Sequence, residues 1–203
     1  MIDVTTEGSL RVLTMDRQDK ANALTREMLV ALAEQVEDAS ADPSINALVL
    51  TGRGTVFSAG ADLDAARAGL ATDPVWERLS GAIADAPVLT IAALNGTAAG
   101  GSLGMVLACD LRVAVPGAKI FYPVMKLGFL PQPSDPDRLT QLVGPARAKL
   151  ILMAGQKIPA EEALAMGLLD RLAEDPVGEA RILAADAMAA KRIHLAAIKD
   201  MIR

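Results

Sequence analysis

The chain has 203 residues, 52% apolar but only 2% aromatic, with 20 basic and 25 acidic side chains and a net charge of −5. That length suits one domain, and its core must be aliphatic. An acidic chain with no Lys/Arg cluster interleaved with aromatics argues against nucleic acid and against a membrane surface. Cys109 is the sole cysteine, so no disulfide can form within the chain. The first residues lack the basic-then-apolar order of a secretory leader, and no apolar run reaches the ~18 residues that span a bilayer. The expectation is a cytoplasmic protein.

In chain order, Leu10–Met15 alternates as a strand, and Thr25 caps an amphipathic helix carrying Leu29, Leu32, Ala33 and Val36. The apolar run 46–50 ends in Thr51-Gly52, and the buried-strand pattern over 87–94 ends in Asn95-Gly96. A helix is expected after each, over 62–70 and 101–109. A strand over 111–115 and an extended piece over 119–124 come next. From Pro136 the pattern turns helical, around Leu139, Leu142 and Val143, then over 146–154, 160–166 and from 177 to the end. No linker rich in Gly, Ser or Pro divides the chain, so an α/β core with a helical C-terminal part is the coarse reading.

Two turns carry the chemistry: Phe57-Ser58-Ala59-Gly60-Ala61-Asp62-Leu63 and Asn95-Gly96-Thr97-Ala98-Ala99-Gly100-Gly101-Ser102. Each follows a buried strand and leads into a helix. Small residues allow a ligand to approach the backbone, and unpaired N–H groups at a helix start point at negative charge. Two such turns converging on one oxygen suit a thioester enolate, whose oxygen becomes anionic. Phosphate cradles fit worse: Phe57 takes the last glycine of a G-x-G-x-x-G pattern, and no G-x-x-x-x-G-K-[ST] string exists.

The turn 57–63 resembles the F-x-x-G-x-D-[LI] element of the enoyl-CoA hydratase/isomerase (crotonase) superfamily. Residues 95–101, with Ala108-Cys109-Asp110, resemble its N-G-x-A-x-G-G and A-x-x-C-D elements. Residues 16–24 are similar to its R-P-x-x-x-N-A-[LM] entry, and Pro159 to Ala163 with Gly167-Leu168-Leu169 to its late A-x-E-A-x-x-x-G element. The resemblance implies a crotonase-like α/β fold, a spiral of ββα repeats over 1–145. A C-terminal helical region, 146–203, would follow without forming an independent domain. It further implies a homotrimer or a dimer of trimers, acting on an acyl-CoA thioester in fatty acid metabolism. No cofactor is held permanently, coenzyme A being part of the substrate. By the same resemblance Ala61 and Gly101 supply the oxyanion N–H groups, while Lys20, Ala21, Ala23, Ala59, Asp62, Leu63 and Asp64 lie against the coenzyme.

The chain departs from the hydratases it resembles at two places. Their two proton-transferring glutamates correspond to Gly104 and Val124, neither of which can move a proton. Tyr122 lies two residues before Val124 and, in an extended segment, faces the same way, with Lys126 continuing that face. It is either a packing tyrosine or a hydrogen-bond donor to an enolate. Asp135 and Asp137 precede a helix that Ser134 would cap, their charges favouring its positive end. Related dehalogenases draw a nucleophilic aspartate from this region, but nearer Gln132. Asp62 reads as structural, His194 as solvent-facing, and Met125, Met153 and Met166 as core filling. No set of His, Cys and carboxylate residues has metal-ligand spacing. Three functions remain: an isomerase or lyase working through a thioester enolate, a non-catalytic acyl-CoA binder, or a structural partner of an active homologue.

Overall fold

The computed structural model describes residues 1–202. β1 (Ile2–Glu7) and β2 (Leu10–Met15) form an antiparallel hairpin, and α1 (Arg26–Ala41) follows. The chain then repeats one unit: a strand in a large sheet, a short strand in a small sheet, and a helix. The first repeat is β3 (Ala47–Gly52), β4 (Val56–Ser58), α2 (Leu63–Arg67) and α3 (Val75–Asp85). The second is β5 (Leu89–Leu94), β6 (Thr97–Ala99) and α4 (Leu103–Ala108). The third is β7 (Leu111–Ala114), β8 (Lys119–Phe121), α5 (Val124–Leu127) and α6 (Asp135–Leu152). The chain continues through β9 (Ile158–Pro159), α7 (Ala160–Ala165), β10 (Arg171–Leu172), α8 (Pro176–Ala189) and α9 (Arg192–Asp200).

The large sheet runs β1-β2-β3-β5-β7-β10 and the small one β4-β6-β8-β9. Every pairing from β2 to β10 in the large sheet is parallel. This is the expected spiral of ββα repeats. In its opening turn the second strand shrinks to one parallel bridge, Leu24 to Ala61.

Side-chain alternation explains why the central strands read as unbroken apolar runs. Leu48 and Leu50 of β3 face the main core with α1 and α3, whereas Ala47 and Val49 face a second cluster beneath α8. A parallel sheet covered on both faces favours near-continuous apolar runs. Two buried exceptions, Thr90 and Arg112, are held by hydrogen bonds to Asp110 and Asp170. Thr25 accepts a hydrogen bond from the Met28 N–H and starts α1, whose buried stripe includes Leu29, Leu32 and Val36.

Several expectations are corrected. β1 and α3 had no clear signal, and the helices after the glycine turns are shorter, because the turns themselves occupy the first residues. Val124 opens a helix rather than ending an extended piece, since Pro123 at φ −80, ψ 35 leaves the strand. The C-terminal helix is two, broken at Ala190, whose ψ of 160 is extended. The expected boundary at 145/146 falls inside α6, one residue past the kink at Gly144. Met125 and Met153 are 63% and 61% exposed, and only Met166 of that trio is buried.

Candidate functional site

The two glycine-rich turns meet. Ser58 of β4 donates its hydroxyl to the Asn22 carbonyl and accepts the Gly60 N–H, bending the chain after the strand. Gly60 takes φ +90, and a Cβ there would lie 2.6 Å from the Ala99 carbonyl oxygen and 3.2 Å from the Gly101 nitrogen. Only glycine permits this approach. Leu24 then donates to the Gly60 carbonyl and accepts the Asp62 N–H, so the N–H of Ala61 between them points away from Leu24. Gly101 lies in the first turn of a 3₁₀ segment, Gly100–Ser102, where N–H groups have no acceptor within the helix. Among the described residues neither N–H has a backbone or side-chain acceptor.

Both turns open into a cavity of about 350 Å³, within the range of small-molecule sites. Its wall is mostly apolar, with Leu63, Trp76, Val124, Leu127 and Phe129 among the lining residues. Trp76 is fixed by a 2.7 Å hydrogen bond from its indole N–H to the Leu70 carbonyl, and its ring lies 3.0 Å from where a Cβ on Gly101 would be. Arg67 and Tyr122 are the ionisable side chains of the lining.

The residues expected to hold a coenzyme form one ledge. Ala59 donates its N–H to the Ala21 carbonyl at 3.0 Å, so 20–24 runs beside 59–64. Ala59, Ala61 and Leu63 line the cavity, whereas Lys20 and Asp64 are exposed and do not. Asp62 accepts the N–H groups of Asp64 and Ala65 and pairs with Arg17 at 2.8 Å; that guanidinium, with the backbone donors, holds its carboxyl below the usual range. The signature asparagines are braces: Asn22 and Asn95 both donate to the carbonyl of Val56. Asp110 is paired with Lys199 and accepts from Thr90.

The largest correction concerns Asp135. It is 1% exposed, not a solvated charge at a helix start. Tyr122 donates its hydroxyl to Asp135 Oδ2 at 2.9 Å, and the Gln132 N–H reaches the Tyr122 oxygen at 3.4 Å. Burial pushes the Asp135 carboxyl up to about 6 and Tyr122 far above the usual phenol range. Ser134 makes no side-chain cap, because its hydroxyl donates to the carboxylate of Glu77. Sequence reasoning missed Trp76, Arg67 and Gln132 at this cavity. No motif marks these residues, and no element was expected over 75–85. His194 is exposed, and among the described residues no group of three His, Cys, Asp or Glu is placed to hold a metal ion. Among them, too, no helix is long and apolar enough to cross a membrane.

Comparison with known proteins gives a consistent result. The family model described as enoyl-CoA hydratase/isomerase matches residues 5–203. A Mycobacterium tuberculosis protein named probable enoyl-CoA hydratase EchA14 is 38% identical over 198 residues, which is 95% of this chain and 77% of that one. Among solved structures, Pseudomonas aeruginosa DspI superposes with a TM-score of 0.92 at 33% identity, covering 99% of this chain and 85% of its own. The structure of enoyl-CoA hydratase EchA8_6 from Mycobacterium marinum gives 0.90 at 32% identity, covering 99% and 98%.

Proposed function

This chain belongs to the enoyl-CoA hydratase/isomerase (crotonase) family, and from that we propose that it binds an acyl-CoA thioester with the thioester oxygen between the N–H groups of Ala61 and Gly101. The observation that carries this reading is the contact at Gly60, which brings two unpaired backbone donors to one end of an apolar cavity. A thioester carbonyl is a neutral acceptor that becomes an anion on enolisation, so such a pair binds the enolate better than the ground state. The ledge 20–24 and 59–64 would carry the coenzyme, with Lys20 offering a cation to its phosphates. Arg67 lines the cavity itself; its pairing with Asp64 at 3.2 Å joins two exposed side chains, and such pairs are weak.

The reaction we favour is an isomerase or lyase step through that enolate, not the hydration carried out with two glutamates. Gly104 and Val124 stand where the resembling hydratases carry those acids. The second reading, binding without turnover, is favoured by the scarcity of ionisable groups in the cavity wall. A cytoplasmic trimer or dimer of trimers remains part of the proposal.

Calorimetry with octanoyl-CoA, followed by a co-crystal structure, tests the binding. The expected result is heat saturating below millimolar ligand, with the thioester oxygen in reach of both donors. Absence of binding by folded protein refutes it. Gly101→Pro removes one donor and should lower any turnover by about 10² to 10³.

A further inference from the structure

We infer that the buried Tyr122–Asp135 pair is the proton-handling device of this cavity, standing in for the acids missing at 104 and 124. The inference rests on the acyl-CoA reading above. Three observations carry it. Tyr122 lines the same cavity as Gly101, and its hydroxyl donates its hydrogen to Asp135. Asp135 Oδ1 is buried with no hydrogen-bond partner, which is costly for a carboxylate whose task is only structural. A Cβ on Gly104 would lie 3.0 Å from that same oxygen. The bare α-carbon of Gly104 therefore makes the room that Asp135 fills, and a carboxylate from α6 occupies the space that a side chain on α4 would enter.

The chemistry follows from this order of groups. In a bound acyl-CoA the Cα–H bond breaks and its proton passes to the Tyr122 oxygen. The phenol's own proton passes to Asp135 Oδ2, and the electron pair delocalises onto the thioester oxygen. Return of a proton from the pair to Cα regenerates the starting thioester, and return to Cγ of a 3-enoyl chain shifts the double bond. No oxidant or second reactant is needed. Tyr122 is the group that meets the substrate, and Asp135 is the positioning residue that takes up the charge. The charged groups acting on Asp135 are Arg138 of its own helix, which favours the carboxylate, and Glu77 of α3, which opposes it. The Gln132 N–H and the Tyr122 hydroxyl also favour it. Burial outweighs these and leaves a carboxyl that changes charge near 6, suited to accepting a proton at neutral pH.

The test is hydrogen exchange at Cα of trans-3-hexenoyl-CoA in deuterated water, read by mass spectrometry, alongside octanoyl-CoA binding by calorimetry. Tyr122→Phe and Asp135→Asn preserve shape. Each should bind octanoyl-CoA within about twofold of the parent and lose about 10² to 10³ in exchange rate. The parent's rate should rise as pH passes through about 6, and Asp135→Asn should lose that limb, which a purely structural carboxyl would not supply. Variants that bind and exchange like the parent overturn the inference, as does a parent that binds but does not exchange. A parent that fails to bind octanoyl-CoA overturns the acyl-CoA reading first, and the dyad falls with it. If Asp135→Asn does not fold, a parent profile flat between about pH 5 and 8 overturns the inference on its own.

Discussion

Gly60→Ala is the most direct perturbation of the site's architecture. Two costs add. At φ +90 a side chain sits in a region where non-glycine residues are strained by about 1–3 kcal/mol. The new methyl would also lie 2.6 Å from the Ala99 carbonyl oxygen, a backbone atom that cannot swing aside. Overpacking of this kind costs a further ~1–3 kcal/mol. The expected loss is about 2–6 kcal/mol, a large share of a typical domain's stability. Gly117→Ala separates the two costs, because Gly117 has φ +78 but no atom within 4 Å of the added Cβ. It should lose only about 1–2 kcal/mol. Urea unfolding of both variants measures the difference. Relief of the collision also requires the turns to part, so octanoyl-CoA binding should weaken for Gly60→Ala and not for Gly117→Ala. Equal losses in the two variants would refute the claim that close approach of the turns demands glycine at 60.

Asp135→Asn should change the pH dependence of stability. Burial raises the folded carboxyl to about 6 from an ordinary 3.8, so folding is favoured while the group is protonated. That contribution is fully present below about 4 and is lost as pH rises through 6, at most ~3 kcal/mol; the variant should show a flatter curve by thermal unfolding. Asp62→Ala removes the cap of α2 and the Arg17 pair, and should lower the midpoint of urea unfolding while weakening ligand binding through the adjacent Ala61. Crotonyl-CoA hydration by the parent should be negligible. Gly104→Glu with Val124→Glu should not restore it while Asp135 remains 3.0 Å from the new Cβ, whereas adding Asp135→Gly should allow measurable hydration.

The sequence alone determined the family, and through that resemblance the ββα spiral, together with the two turns of the candidate site. The turns are local properties: apolar runs ending at glycine, and small residues wherever backbone must meet backbone or ligand. The strand cores at β3 and β5 were legible because a sheet covered on both faces favours near-continuous apolar runs. A structural Asp62 was expected only through the family resemblance, and its role as the cap of α2 came from the folded chain. The meeting of Gly60 with Ala99 and Gly101 was suspected, but its closeness needed the folded chain. Asp135 was not legible. In sequence it looks like a helix-start acid beside Ser134, and its fate depends on Tyr122, thirteen residues earlier, and on the missing side chain of Gly104, on another helix. The same holds for Trp76, whose helix carries it under Gly101 from a segment with no motif. A carboxyl's protonation and reach are set by what excludes water from it, and that is a property of elements brought together only when the spiral closes.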